Sequence, residues 1–260
     1  GGGSVEIHET SSVIIDNGTT ASKGQGTIRS FSLTAGGDIT VQYINTLSGE
    51  IDLTSGGAIS EATPGTDSGE RPNLATSGQA TLIAANGIGA TGTADLDLAV
   101  GSVSATNTTS GDIVLDQLGI NARSLTVAGA GLLNQSATGG ISLYSESQTG
   151  QTSGGTLVIA APVAVSGSGN MVIQVAGSTS DLTVNANVSS GSGSLSLLSE
   201  RNLSQNAGLS SGVGTVEVQA QTGWLTMSAS ASTQTPANIR YQAALAVTVG
   251  LLDARSESDR

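Results

Sequence analysis

Aliphatic residues along this chain come in pairs separated by one polar residue, and a glycine usually stands just ahead of each pair. The stretch "GGDITVQYINTLSGEIDLTSGGAIS", 36–60, states the phrase three times. It recurs as "GDIVL" from 111, "GISL" from 140, "GTLVI" from 155, "GNMVI" from 169, "GSLSL" from 193, "GTVEV" from 214 and "GWLTM" from 223. Copies without the glycine are "ADLDL" from 94, "RSLTV" from 123 and "SDLTV" from 180. A period of two puts both aliphatics on one face, so each phrase predicts a short strand with one buried side. Glycine before the strand supplies a sharp corner. Nowhere do apolar residues hold the three-and-four spacing of a helix over ten residues, which makes the chain all-β.

Internal repetition selects a solenoid over a sandwich or a closed barrel. Some glycine-led starts lie close together, as at 37 and 49, and others far apart, as at 111 and 140; these read as corner and coil steps. The predicted fold is an elongated parallel β-helix of on the order of ten coils. At about 4.8 Å per coil that is a rod roughly 50 Å long. Its core would stack Ile39 and Val41, Ile51 and Leu53, Ile113 and Leu115, Leu195 and Leu197, and Val216 and Val218. Residues 1–25 read as a linker with first strands, 26–237 as the repeats, and 238–260 as last strands or a cap with a charged tail. Segments 60–78 and 145–155 interrupt the rhythm and read as protruding loops.

Composition refines this picture. Of 260 residues, 37% are hydrophobic, but only one Trp, three Tyr and one Phe are aromatic, so the core is aliphatic. Twenty acidic residues against eight basic ones give a net charge of -12, which argues against nucleic acid and against anionic membrane surfaces as partners. No run of about 18 apolar residues predicts membrane insertion. Cysteine is absent, which removes disulfides and thiolate-bound metals. The opening "GGGSVEIHET" reads as a trimmed start with a Gly-Gly-Gly-Ser linker.

The stretches "TAGGDITV", "SGEIDLTSGGAIS", "LIAANGIGATGTADLDLAV" and "TSGDIVL" resemble the repeats of large bacterial surface exoproteins of the filamentous haemagglutinin type. The similarity covers most of 26–227. It implies a right-handed parallel β-helix, export across a bacterial envelope, and a rod that presents or constitutes an adhesive surface. Members exported by a partner transporter begin with a secretion domain marked by asparagine-proline-asparagine motifs. Here the nearest match is "RPNL", with Arg71 in place of the first asparagine, so the chain reads as shaft rather than secretion domain. The missing cysteines fit passage through a narrow outer-membrane pore.

Candidates for chemistry are few. His8 is the only histidine, and any Ser/His/Asp triad would depend on it; near the amino terminus it reads as solvated. Glu50 with Asp52, and Asp95 with Asp97, each place two carboxylates on one outward strand face, as polysaccharide-active β-helices require. Lys23, the single lysine, lies far from both pairs in sequence, and aromatic platforms for sugars are scarce. The same carboxylates, with Asp67 and Glu70 of "PGTDSGE", could hold calcium, but a solvated acidic face is the simpler reading. Threonines scattered among faces argue against ice binding. The Asn-x-Ser/Thr acceptors at Asn17, Asn107, Asn134, Asn187 and Asn202 read as chance in so Asn- and Ser-rich a chain.

No catalytic, cofactor-binding or metal-binding residue is therefore assigned. The expected function is that of a non-enzymatic, secreted or cell-surface β-solenoid, the shaft or binding surface of a bacterial adhesin in cell adhesion and biofilm. Its partner would be a glycan or protein on a host or neighbouring cell. The alternatives are a structural subunit of an extracellular fibre or sheath and, third, a polysaccharide-active enzyme. The apolar run Tyr241 to Leu252 reads as one more strand pair or, preferred, a cap over the final coil, or else as an open end that associates end to end through Leu245, Val247, Val249 and Leu251.

Overall fold

The computed structural model describes residues 3–15, 19–20, 29–62, 71–92, 94–119, 123–146 and 155–255. Every paired strand in them is parallel to its neighbours, and no helix occurs among them. The chain winds into a β-solenoid. One face is a sixteen-stranded sheet whose main path carries eleven strands from Ser4–Glu9 to Ala246–Thr248; the opposite face holds a ten-stranded and a three-stranded sheet. Along one stretch of the path, Leu157, Leu182, Leu203, Leu225 and Val247 stand directly above one another. Ten steps of about 4.8 Å make a rod of roughly 50 Å.

All thirteen quoted phrases form strands, and their paired aliphatics turn inward. Met171, Leu195 and Val216 make one buried column and Ile173, Leu197 and Val218 the next. Stacking like side chains at strand spacing buries nearly all their apolar area, at about 25 cal/mol per Å². Only one ring, Phe31, lies wholly within this core.

The glycine of the phrase is explained by close approach more than by backbone angle. A Cβ on Gly193 would meet the Gly169 carbonyl oxygen at 1.8 Å; one on Gly169 would meet that of Gly139 at 2.0 Å, and one on Gly139 that of Gly111 at 1.9 Å. Among these four, only Gly111 has a positive φ, 86°. The corners of successive coils rest backbone on backbone, leaving no room for a side chain.

The polar residue after the glycine has its own task, because each corner N–H needs an acceptor. Asp38 Oδ1 accepts from the Ala58 N–H at 2.8 Å, Asp112 Oδ1 from Gly140 at 2.8 Å and Asn170 Oδ1 from Ser194 at 2.9 Å; Asn202, which follows Arg201 instead of glycine, does the same for Trp224 at 3.0 Å. At the far end of the strand, buried Ser, Asn and Thr donate back to corner carbonyls. Ser55 reaches Gly37, Asn134 reaches Gly111 and Gly140, Ser211 reaches Gly193 and Thr235 reaches Gly214.

The cross-section changes midway. In the first half, the sixteen-stranded face carries straight six-residue strands, Glu50–Ser55, Gln79–Ala84 and Ser102–Asn107 among them, while the opposite face is broken into short pairs such as Ile39–Val41 and Ile44–Leu47. In the second half the long strands lie on the opposite face, Met171–Val175, Leu195–Ser199 and Val216–Ala220, and the first face is broken. Two strands make the exchange. Leu125–Asn134 bends at Gly129 and Gly131, φ 59° and 88°, and shifts register so that Val103 pairs with Val127 but Ala105 with Leu132. Ile113–Leu118 joins the two short columns, through Ile88 to Ile113 and through Leu96 to Leu115.

Two sequence readings are corrected here. The span 60–78 is not wholly a protruding loop: Ile59–Glu61 and Leu74–Thr76 are strands, and Pro72, Asn73 and Leu74 are buried. Of the two readings of the run Tyr241 to Leu252, the preferred cap is overturned and the further strands are what forms. The run builds one more coil from Ile239–Ala243, Ala246–Thr248 and Leu251–Asp253, each strand paired only with the coil beneath.

Candidate functional site

The strands Leu96–Ala99 and Ile113–Leu118 lie side by side with Leu96 opposite Leu115 and Asp97 opposite Asp116. Their leucines face the core, so alternation turns both aspartates outward, and Asp95 shares the side of Asp97. All three carboxylates are nonetheless buried, each no more than 8% exposed, and offer one oxygen apiece within 4.8 Å of one another. Asp95 and Asp97 are thus not the solvated outward pair that the pattern predicts. Asn73 helps hold the site: its Oδ1 accepts from the Asp97 N–H at 2.8 Å, and its Nδ2 donates to the Val41 and Gln42 carbonyls and to Glu61 Oε1. The "RPNL" asparagine is accordingly a structural clamp inside the second face.

Three convergent carboxylates are hard oxygen donors of the kind that suit calcium or magnesium. Asp116 is the member missed by reading local pairs. Its signal was present in the repeated "LD" of "ADLDL" and "IVLDQ", but only the coil register makes those two phrases neighbours.

The other candidates are dispersed. Glu50 and Asp52 sit on the sixteen-stranded face, away from the sheet that carries Asp97, so the two acidic pairs do not share a groove. His8 is exposed on Ser4–Glu9, its Nε2 2.9 Å from Glu6 Oε1. Asp67, Glu70, Lys23 and Asn17 lie outside the described residues. Asn107 and Asn134 are fully buried and joined by an Nδ2–Oδ1 bond of 3.0 Å, so neither offers its amide to a glycosylating enzyme. Asn187 and Asn202 use Oδ1 to accept the corner N–H groups of Gly208 and Trp224.

Asp181 and Tyr241 are among the groups whose titrations are displaced. Burial raises the Asp181 carboxyl, but the two Arg201 hydrogen bonds of 2.7 Å, the Asn202 N–H and the arginine charge outweigh it, and the net displacement is downward. Burial pushes the Tyr241 phenol up to about 12, against the lowering effect of its bonds to Thr233 and Gln205. Comparison of the chain with protein-family models, with curated proteins and with solved structures finds no match.

Proposed function

We propose that the chain is a non-enzymatic rod of a bacterial surface adhesin, exported and displayed outside the cell, whose partner is a glycan or protein on a host or neighbouring cell. The observation that carries this reading is the unbroken outer column Thr126, Val158, Thr183, Ser204, Thr226 and Thr248 along the stacked coils. Apart from Val158, the column offers uncharged hydroxyl groups at strand spacing along a stiff surface, which suits repeated weak contacts summed by multivalency. The likeness of the glycine-led phrases to haemagglutinin-type repeats supports the same role.

Saturable binding of the purified chain to cell-surface glycans or proteins is expected, weakened when Thr183 and Thr226 are both changed to Lys. Absence of binding to any cell or glycan surface would sink the adhesive role. No turnover of acidic polysaccharides is expected; product release that disappears on changing Asp95 and Asp97 to Asn would establish the enzyme instead. The fibre-subunit alternative requires copies to continue one another head to tail. Long filaments in electron micrographs of the purified chain would favour it.

A further inference from the structure

We propose that Trp224 and the Arg201–Asp181 pair form a binding subsite for a neutral glycan on the side of the rod. The inference rests on the adhesive reading for its choice of partner and narrows that partner to an uncharged sugar chain. Trp224 is the chain's only tryptophan. In the strand Trp224–Met227 alternation turns Leu225 and Met227 inward and Trp224 and Thr226 outward, and Trp224 is left 55% exposed. This strand lies inside the sheet, with Leu203–Gln205 on one side and Ala246–Thr248 on the other, so the ring faces sideways from the rod rather than along its axis. An outward indole offers a flat apolar face with an N–H at its edge. A pyranose ring matches it, with C–H groups on its face and hydroxyls around its rim.

A ladder of corner bonds places the polar half of the site. Continued by one residue, the strand register stacks Asp181, Asn202 and Trp224 in successive coils. Asp181 Oδ1 accepts from the Asn202 N–H at 3.1 Å and Asn202 Oδ1 from the Trp224 N–H at 3.0 Å, which holds the three in line. Arg201 donates from Nε and Nη2 to the two Asp181 oxygens, both at 2.7 Å, and the pair stays partly exposed. Such a two-pronged pair is planar and fixed in direction, so it presents donor and acceptor edges to sugar hydroxyls without first having to be ordered. Two coil steps of about 4.8 Å separate Asp181 from Trp224, a distance that a short oligosaccharide spans. Thr183, Ser204 and Thr226 run beside this column, two residues further along each strand, and add hydroxyls.

Charge selects the class of sugar. From 155 to 250 the chain carries three acids, Asp181, Glu200 and Glu217, and two bases, Arg201 and Arg240, so this stretch is almost uncharged in a chain of net charge -12. All five are engaged: Arg201 holds Asp181, Arg240 holds Glu217, and Glu200 Oε2 accepts from the Gly177 N–H. Among these residues no free cation awaits the sulfate or carboxylate of an acidic glycan, whereas a neutral sugar brings no charge that must be desolvated. The occupant is a neutral hexose chain laid along the rod, one ring on Trp224 and the next over the Arg201–Asp181 pair and the hydroxyl column.

Because Trp224 is the single tryptophan, its fluorescence reports binding directly. Titrating the full chain with neutral trisaccharides of glucose, galactose and mannose should shift or quench that emission saturably with at least one of them. A heparin tetrasaccharide should neither shift it nor compete. By calorimetry, Trp224→Ala should weaken binding at least about tenfold, as loss of a central aromatic anchor does, with a retained cooperative melt, and Trp224→Phe should keep part of the affinity. Should Trp224→Ala unfold early, the unaltered chain decides: bound sugar should shield Trp224 from acrylamide quenching, and absence of shielding sinks the subsite. The proposal is overturned by no saturable response to any neutral sugar, by preference for heparin, by equal binding of folded Trp224→Ala, or by emission that shifts with chain concentration alone, which would assign the ring to a second copy. Sugar binding without attachment to any cell keeps the subsite and removes the adhesive role. Attachment to cells that Trp224→Ala leaves untouched keeps the adhesive role and removes the subsite.

Discussion

At the scale of single residues, the phrase glycine, polar, aliphatic, polar, aliphatic is a set of distinct physical demands. Glycine is required where one corner rests on the carbonyl of the corner below, as Gly193 does on Gly169. Gly193→Ala should therefore destabilise the chain by about 1–3 kcal/mol in urea unfolding, because a backbone carbonyl cannot swing aside. Gly3→Ala, with nothing within 4 Å of the added carbon, should be neutral. The depressed Asp181 carboxyl stabilises the fold above its ordinary 3.8, and that contribution is lost as pH falls below 3.8 through the folded value. Asp181→Asn should flatten this part of an acid-unfolding profile. Tyr241 has the opposite sign: its folded pKa of about 12 stands above the ordinary 10.0, so its contribution is present below 10.0 and is lost between the two. Ultraviolet titration should show one phenol ionising near 12 that is missing from Tyr241→Phe.

At the scale of elements, strands carrying the full phrase were legible because two aliphatics flank one polar residue. Those with a single inward aliphatic were not. Leu203–Gln205 and Leu209–Ser211, with one inward aliphatic each, and Ser232–Gln234, with none, carry no such phrase; their inward residues include Gln205, Ser211 and Thr233, polar residues that bond to neighbouring coils. The buried Asn107–Asn134 pair shows the same dependence, for Asn134 serves carbonyls of two corners at once. Asn134→Ala would remove a donor from both carbonyls and the acceptor of the Ser136 N–H, and should cost about 1–3 kcal/mol, read as a lowered denaturation midpoint. The bend in Leu125–Asn134 was equally hidden, because the register shift at "GAG" is defined only against the neighbouring strand Ser102–Asn107.

At the scale of the whole molecule, small-angle scattering should give a rod, with a cross-section unchanged and a length of roughly 50 Å for the monomer. The acidic cluster belongs to this scale too. Asp95, Asp97 and Asp116 come from two coils, and their convergence depends on how many residues the chain spends between them.

The sequence by itself determined the all-β class, the inward aliphatic columns and the stacking, because period-two alternation and glycine-led repetition are local properties that a strand expresses wherever it lies. Only the tertiary structure decided which phrases lie above one another, which face is straight, and which outward residues are buried. Those outcomes depend on coil lengths and on contacts between residues some twenty or thirty positions apart, such as Asp97 with Asp116 or Asn107 with Asn134. Alternation assigns a side chain to a face; register alone assigns it a neighbour.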